Sequence, residues 1–261
     1  MASQKEVKNR IASIKNINKI TRAMEMVAAA RLRRAEQRIE ALRPYAQSMR
    51  KLTRRAAEQA GGIPRVPVLE ERAEEKRVGV VLVTGDRGLA GAFNSNIIRD
   101  GLRLKGELDE RGSEAVFSAV GRKGVGALTF RKLEPRTSYV GFTDRPAFAN
   151  AREIGEGAAD EEEDSEETEI EKAHSRSLWV YEPEAEELLA QLIPEYVNIS
   201  IYRALLESAA SELGARMTAM RSAAENAEEM MGDLTLEMNR ARQAEITQEI
   251  LEVVGGAEAL G

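Results

Sequence analysis

The sequence contains no cysteine. Disulfides, thiolate zinc sites and a cysteine nucleophile are therefore excluded. It has a single histidine, His174, so no multi-histidine metal centre can form. That imidazole stands beside an acidic run and reads as solvated surface; a general base would need a partner group within reach. Aromatics make up only 4% of the chain, which argues against an aromatic-rich β fold. No apolar run approaches the roughly 18 to 20 residues that span a bilayer. The opening "MASQKEVKNRIASIKNI" lacks the apolar core of a signal peptide. These absences lead us to expect a soluble protein kept in a reducing compartment.

What the chain does have is charge, unevenly placed. Charged residues are 31% of the sequence, and the net charge is −6. Residues 1–58 hold 15 basic and 5 acidic groups, whereas residues 195–261 hold 5 basic and 12 acidic. A basic first segment and an acidic last segment suit each other as partners.

Both segments carry helical periodicity. From Ser3 to Glu58 apolar residues fall at Val7, Ile11, Ile14, Ile17, Ile20 and Met24, then at Ala28, Leu32, Ala35, Ile39, Leu42, Ala46 and Met49. The second half alternates steps of four and three, the seam of a coiled coil. Pro44 is the only breaker, and because the seam continues in phase it predicts a kink, not an end. The span predicts a helix of roughly 80 Å, closed by "GGIPRVP" at Gly61–Pro67. After Pro194 there is no further proline. One series there runs Ile199, Leu206, Leu213, Met220, Ala227, Leu234, Ala241, and a second runs Ala210, Met217, Ala224, Met231, Met238. Together they predict a seam over five heptads and a left-handed supercoil. It stops after Ala241; Ile246, Ile250, Val253 and Val254 lie on a shifted face, and Gly255-Gly256 is expected to close the helix. Helices this long cannot bury their own stripes. Charge complementarity favours antiparallel pairing within one chain over pairing between two copies.

Between them the pattern changes. "RVGVVLVTGDRGLAGAFNSNIIRDGL" reads as strand, glycine turn, helix, and "EAVFSAVGRKGVGALTFRK" repeats that order. "RPAFANAREIGEGA" reads as a further helix and "RSLWVYEP" as a last strand. Alternating β and α elements predict a small, mostly parallel, Rossmann-like sheet. The expected fold is thus α/β: a long antiparallel coiled coil of the terminal helices carrying this insert. The expected divisions are residues 1–60, 61–194 and 195–261. Residues 160–171 hold nine acids in twelve positions and read as a self-repelling loop, not a cation site.

Catalytic chemistry is hard to find. "TGDRGLAGAFN" could cradle phosphate ahead of a helix, but Gly85, Gly88 and Gly91 do not fit G-x-G-x-x-G, and no G-K-[ST] follows. The plainer reading is a tight turn with the Asp86 charge supporting the next helix. The basic N-terminal segment lacks stacking aromatics apart from Tyr45, which disfavours nucleic acid, and it lacks the Trp and Phe anchors of a membrane-surface helix. No set of nucleophile, base and orienting group is present. No catalytic residue, cofactor site or metal site is assigned. Two very long helices on a compact base suggest a rod or lever.

"INKITRAMEMVAAARLRRA" (Ile17–Ala35) with "RPYAQSM", "VTGDRGLAGAFN", "LLESAASELGARMTAMRSAAENA" and "NRARQAEITQEILEVVGGAEAL" resemble the gamma subunit of F-type ATP synthase. The resemblance covers both terminal segments and the first half of the insert. It implies a non-catalytic central rotor shaft, turned by an ion-driven c-ring inside three alpha and three beta subunits. It also implies a foot that binds epsilon and rests on the c-ring at the cytoplasmic face of a bacterial inner membrane, peripheral to the bilayer and not inserted in it. Residue by residue, Met24 aligns with the family's methionine facing the beta subunit's acidic lever. Arg242, Gln243 and Thr247 align with a polar cluster that engages a beta-subunit loop. Tyr181, Glu182 and Glu184 align with the foot near the c-ring. Leu213, Met217, Met220, Ala224, Ala227, Met231, Leu234 and Met238 are the seam residues, while Arg221, Glu225 and Asn226 lie off the seam and are expected to face the ring. Three departures stand out. Ala90 occupies a place where the family often has cysteine, and the insertion of chloroplast relatives has no counterpart. The acidic run also stands where the family has a strand-rich stretch.

Overall fold

The computed structural model describes residues 4–59, 76–159 and 185–258. Eight elements follow in chain order: α1 (Gln4–Gln59), β1 (Arg77–Val83), α2 (Phe93–Glu110), β2 (Glu114–Val120), α3 (Arg122–Phe130), β3 (Thr137–Tyr139), α4 (Phe148–Ala159) and α5 (Ala185–Glu258). Pro44 lies inside α1 and Pro194 inside α5. The last helix thus starts well before Pro194, and it runs through Gly255-Gly256 to Glu258 instead of closing there. The chain forms two compact units, one of residues 1–30 with 214–261 and one of residues 31–213.

In the first unit α1 and α5 run antiparallel. Asn18 bonds to Ala224, Glu25 pairs with Arg221, and Ile14 shares a groove with Leu234, so one index falls as the other rises. Inward positions on α1 are Val7, Ile11, Ile14, Asn18, Thr21, Glu25 and Ala28, in unbroken steps of four and three. This differs from the apolar reading. Ile17 and Ile20 are 51% and 59% exposed, while Asn18 and Thr21 are each 8% exposed. The heptad phase outranks local hydrophobicity: a long straight pair can bury only one stripe. On α5 the expected seam is inward. Met220, Ala224 and Ala227 are buried, and Met217, Met231, Leu234, Met238 and Ala241 are half-buried. From Arg242 to Gly255 every residue is exposed.

The second unit holds a three-stranded parallel sheet, order β1-β2-β3. Val80 pairs with Phe117 and Leu82 with Ala119. One face packs Leu82, Phe117, Ala119 and Leu128 with Ile97, Ile98 and Val125 from α2 and α3. The other packs Val83, Val120 and Tyr139 against Ala151 and Ile154 of α4 and Ile201, Tyr202 and Leu205 of α5. Sheet residues alternate between the two layers because strand side chains alternate faces. Truncating Phe117, 4% exposed, to alanine would cost about 3–5 kcal/mol. Leu206 and Leu213 on α5 are also buried here. The short β3 was not anticipated, since three residues carry no readable period. Its placement is fixed by pairing with β2 and by a 2.9 Å bond from Thr137 Oγ1 to Ser118 Oγ. The expected strand "RSLWVYEP", the acidic run 160–171 and His174 lie outside the described residues.

Candidate functional site

The turn after β1 was the best place for chemistry, and its first two amides have partners within the protein. Gly85 N donates to Asn94 Oδ1 at 2.9 Å, and Asp86 N donates to Thr143 Oγ1 at 3.0 Å. The first turn of α3 lies beside them. There Arg122 N donates to Asp86 Oδ1 (3.1 Å), Lys123 N to Gly85 O (3.2 Å) and Gly124 N to Thr84 Oγ1 (2.8 Å). An anion at the start of α3 would compete for these helix-terminal N–H groups. They already serve the protein's own oxygens, so the start of the turn and the first turn of α3 form a structural joint.

Asp86 is the centre of that joint. Its Oδ2 accepts from Gly141 N (2.9 Å), Thr143 N (3.3 Å) and Thr143 Oγ1 (2.9 Å). Partial burial pushes the carboxyl's pKa up, but the bonds from Thr143, Arg122 and Gly141 together outweigh it and hold the group below the ordinary aspartate value. Asp86 does not support the next helix in sequence, as was expected: α2 has no side-chain cap, and the carboxylate instead meets the first turn of α3, reached through space. The fit is tight. Gly121, at φ 91°, brings α3 so close that a Cβ there would lie 2.2 Å from Thr84 O. Buried Glu212 of α5 packs on Gly85, where a Cβ would lie 2.6 Å from its carboxylate. Asp144, in the loop after Thr143, pairs with both Arg31 of α1 and Arg87 of the turn, each at 3.6 Å.

The first unit carries a second polar cluster. Asn18 Nδ2 donates to Ala224 O at 2.8 Å across the helical pair. Thr21 Oγ1 satisfies itself on Asn18 O and Ile17 O. Arg22 pairs with Glu228, and Arg221 pairs with Glu25 at 2.8 Å. Each arginine's pKa is raised, first by the hydrogen bond to its glutamate and then by that glutamate's charge. Arg221, expected to look outwards, therefore reaches across to α1. Glu225 and Asn226 are exposed. Met24 is half-buried, one position from Glu25. Arg242, Gln243 and Thr247 form an exposed group beyond the seam, with Thr247 Oγ1 bonded to Gln243 O at 2.8 Å. The structure does not bring Met24 together with that group by any described bond. Tyr181, Glu182 and Glu184 lie outside the described residues. Asn18, Thr143 and Asp144 were not singled out by sequence. Asn18 could have been, because steps of four and three run through it from Val7 to Ala28.

Fold and site together define a class: an antiparallel helical pair carrying a small parallel α/β unit whose glycine turn is filled by its own carboxylate. Comparison with known proteins narrows it. The family model described as ATP synthase matches residues 3–174 and 162–260. The ATP synthase gamma chain of Rubrobacter xylanophilus is 39% identical, with 100% of this chain and 99% of the relative covered. That of Thermobifida fusca is 41% identical, covering 97% and 95%. Among solved structures, a chain of the central stalk and c-ring of Tetrahymena thermophila mitochondrial ATP synthase is 25% identical, with a TM-score of 0.57 over 78% of this chain and 99% of that one. A chain of the Euglena gracilis mitochondrial ATP synthase matches in fold with a TM-score of 0.66 at 17% identity, over 98% and 94%. This chain belongs to the ATP synthase gamma chain family. The Rubrobacter comparison spans 292 positions for a chain of 261 residues, so the relative has residues with no counterpart here. The two family-model matches overlap at 162–174, which puts the break at the acidic run.

Proposed function

We propose that this chain is the central shaft of a rotary ATP synthase, a non-catalytic subunit that couples c-ring rotation to the conformational cycle of three beta subunits. Its membership of the gamma chain family over the whole chain carries the reading. The joint at Asp86 supports it, since the carboxylate in the one stretch with a catalytic look is engaged by the protein's own donors at Arg122, Gly141 and Thr143. The shaft acts by biasing bistable partners, contacting each differently at each angle. Met24 and the group Arg242, Gln243 and Thr247 are the proposed beta-subunit contacts. Among the described residues, Arg242 to Gly255 are exposed throughout, as a segment made for a surrounding ring would be. Tyr181, Glu182 and Glu184 are the proposed foot against epsilon and the c-ring. The working divisions are residues 1–60, 61–194 and 195–261. Among the described residues no helix is long and apolar enough to cross a membrane, which suits a peripheral place on the cytoplasmic face.

The test is reconstitution. The purified chain should show no ATPase activity, and it should assemble with alpha and beta subunits of its own source in a one-to-three-to-three complex. A chain that hydrolyses ATP alone, or refuses that ring, is not this shaft.

A further inference from the structure

The apolar seam of the first unit is poorly suited to fixing its own register. Sliding α5 by one heptad replaces Met217 with Ala224, Ala224 with Met231, and Met231 with Met238. Methionine adapts its shape readily, and alanine offers little to interlock. Apolar packing alone would therefore discriminate weakly between registers. Something else must hold the two helices in step.

We propose that Asn18, Arg22 and Glu25 on α1 are positioning residues that set the axial register of the helical pair. Asn18 is 8% exposed and spends its carboxamide on Ala224 O. That carbonyl is approachable because the seam residue leaning back over it, Ala227, is small. A slide of one heptad in either direction puts Met220 or Leu234 where Ala227 stands, and either larger side chain would cover the acceptor. A buried amide left unsatisfied is costly, and a single polar seam residue is a known means of selecting register. The ion pairs discriminate in the same sense. Arg22 faces Glu228 and Glu25 faces Arg221. Glu228 and Arg221 are themselves seven residues apart. Sliding one way sets Arg22 against Arg221; sliding the other way sets Glu25 against Glu228. Each exposed pair is weak in isolation, but exchanging attraction for repulsion separates the registers further. The polar stripe thus explains why α1 buries Asn18 and Thr21 while leaving Ile17 and Ile20 outside.

The consequence for function rests on the shaft reading: a pair that slips would lose its fixed relation between the two ends. The register itself can be read without any partner. The chain has no cysteine, so spin labels placed at Lys8→Cys and Thr218→Cys, both exposed positions that flank the Asn18–Ala224 contact along the axis, report the distance along the pair in the full-length protein. The parent should give one narrow distance. Asn18→Leu combined with Arg22→Gln and Glu25→Gln should add a population displaced by about 10 Å, one heptad of rise. Its thermal midpoint should not fall in proportion, because leucine packs well in a seam. Asn18→Ala in the same background guards against overpacking and should give the same second population. Arg22→Glu should broaden the distance, and adding Glu228→Arg should restore it. A single parental distance in both the leucine and alanine combinations overturns the proposal. Failure of ring assembly or coupling by the parent chain would instead count against the shaft reading and leave the register result standing.

Discussion

Asp86 shows what one residue can organise. Its two oxygens gather the start of α3 and the loop after β3 at the carboxyl ends of the strands. Replacing it with asparagine removes the charge that four donors address, at a cost of about 2 kcal/mol. The pH dependence follows from the direction of the shift. A carboxyl held below its unfolded value stabilises the fold above that unfolded value, and the contribution disappears as pH falls through the folded one. The parent should therefore lose stability on acidification below the ordinary aspartate range, and Asp86→Asn should show a flatter acid limb in urea titrations of the full chain. Gly121 offers a sharper case. Alanine there meets both a φ of 91° and the Thr84 carbonyl, neither of which can move without parting β1 from α3. A loss of about 3 kcal/mol in chemical unfolding is expected; a neutral Gly121→Ala would mean that the joint is loose. Sequence hinted at Asp86 through its place in a glycine turn. It could not show the partners at Arg122, Gly141 and Thr143, which lie far along the chain and arrive only through the sheet.

At the level of elements, the helices were legible and their burial was only partly so. On α5 heptad spacing and burial agree at Met220, Ala224 and Ala227, because in that stretch apolar identity and seam phase coincide. On α1 they diverge between Ile14 and Ala28. Reading the most apolar residues inward selected Ile17 and Ile20, whereas phase selects Asn18 and Thr21. Where two signals conflict in a long pair, phase is the stronger because a stripe cannot wander without unwinding the coil. β3 escaped for the opposite reason: at three residues it has phase but no length. The soft seam makes its own prediction. Met220→Ile and Met231→Ile swap adaptable side chains for stiff, branched ones of similar volume. The pair should stay folded, with a change in stability below about 1.5 kcal/mol. In an assembled enzyme the torque-linked rate should change before assembly does. Loss of assembly with no prior change in rate would contradict a mechanical role for the seam.

At the scale of the whole molecule, α5 outlasts α1 among the described residues. The last half-buried seam residue is Ala241, and every residue from Arg242 to Gly255 is exposed, including Ile246, Ile250, Leu251, Val253 and Val254. Exposed apolar side chains at this density are not needed to fold the pair, and in a free chain they favour self-association. They fit a segment whose cover comes from elsewhere. Ending the chain after Ala241 should therefore leave the thermal unfolding of the isolated protein unchanged within about 0.5 kcal/mol, as expected for surface changes. It should also reduce the chain's tendency to aggregate. In the reconstituted ring the same truncation removes Arg242, Gln243 and Thr247 together with the apolar positions, so coupled ATP turnover should fall even though the helical pair is intact. The two measurements separate folding from engagement. If truncation destabilised the isolated chain, α5 would have a partner beyond Ala241 within its own fold. If coupled turnover were untouched, the proposed contact group would not be where the shaft meets the beta subunits, and Met24 would be left to carry that engagement from α1.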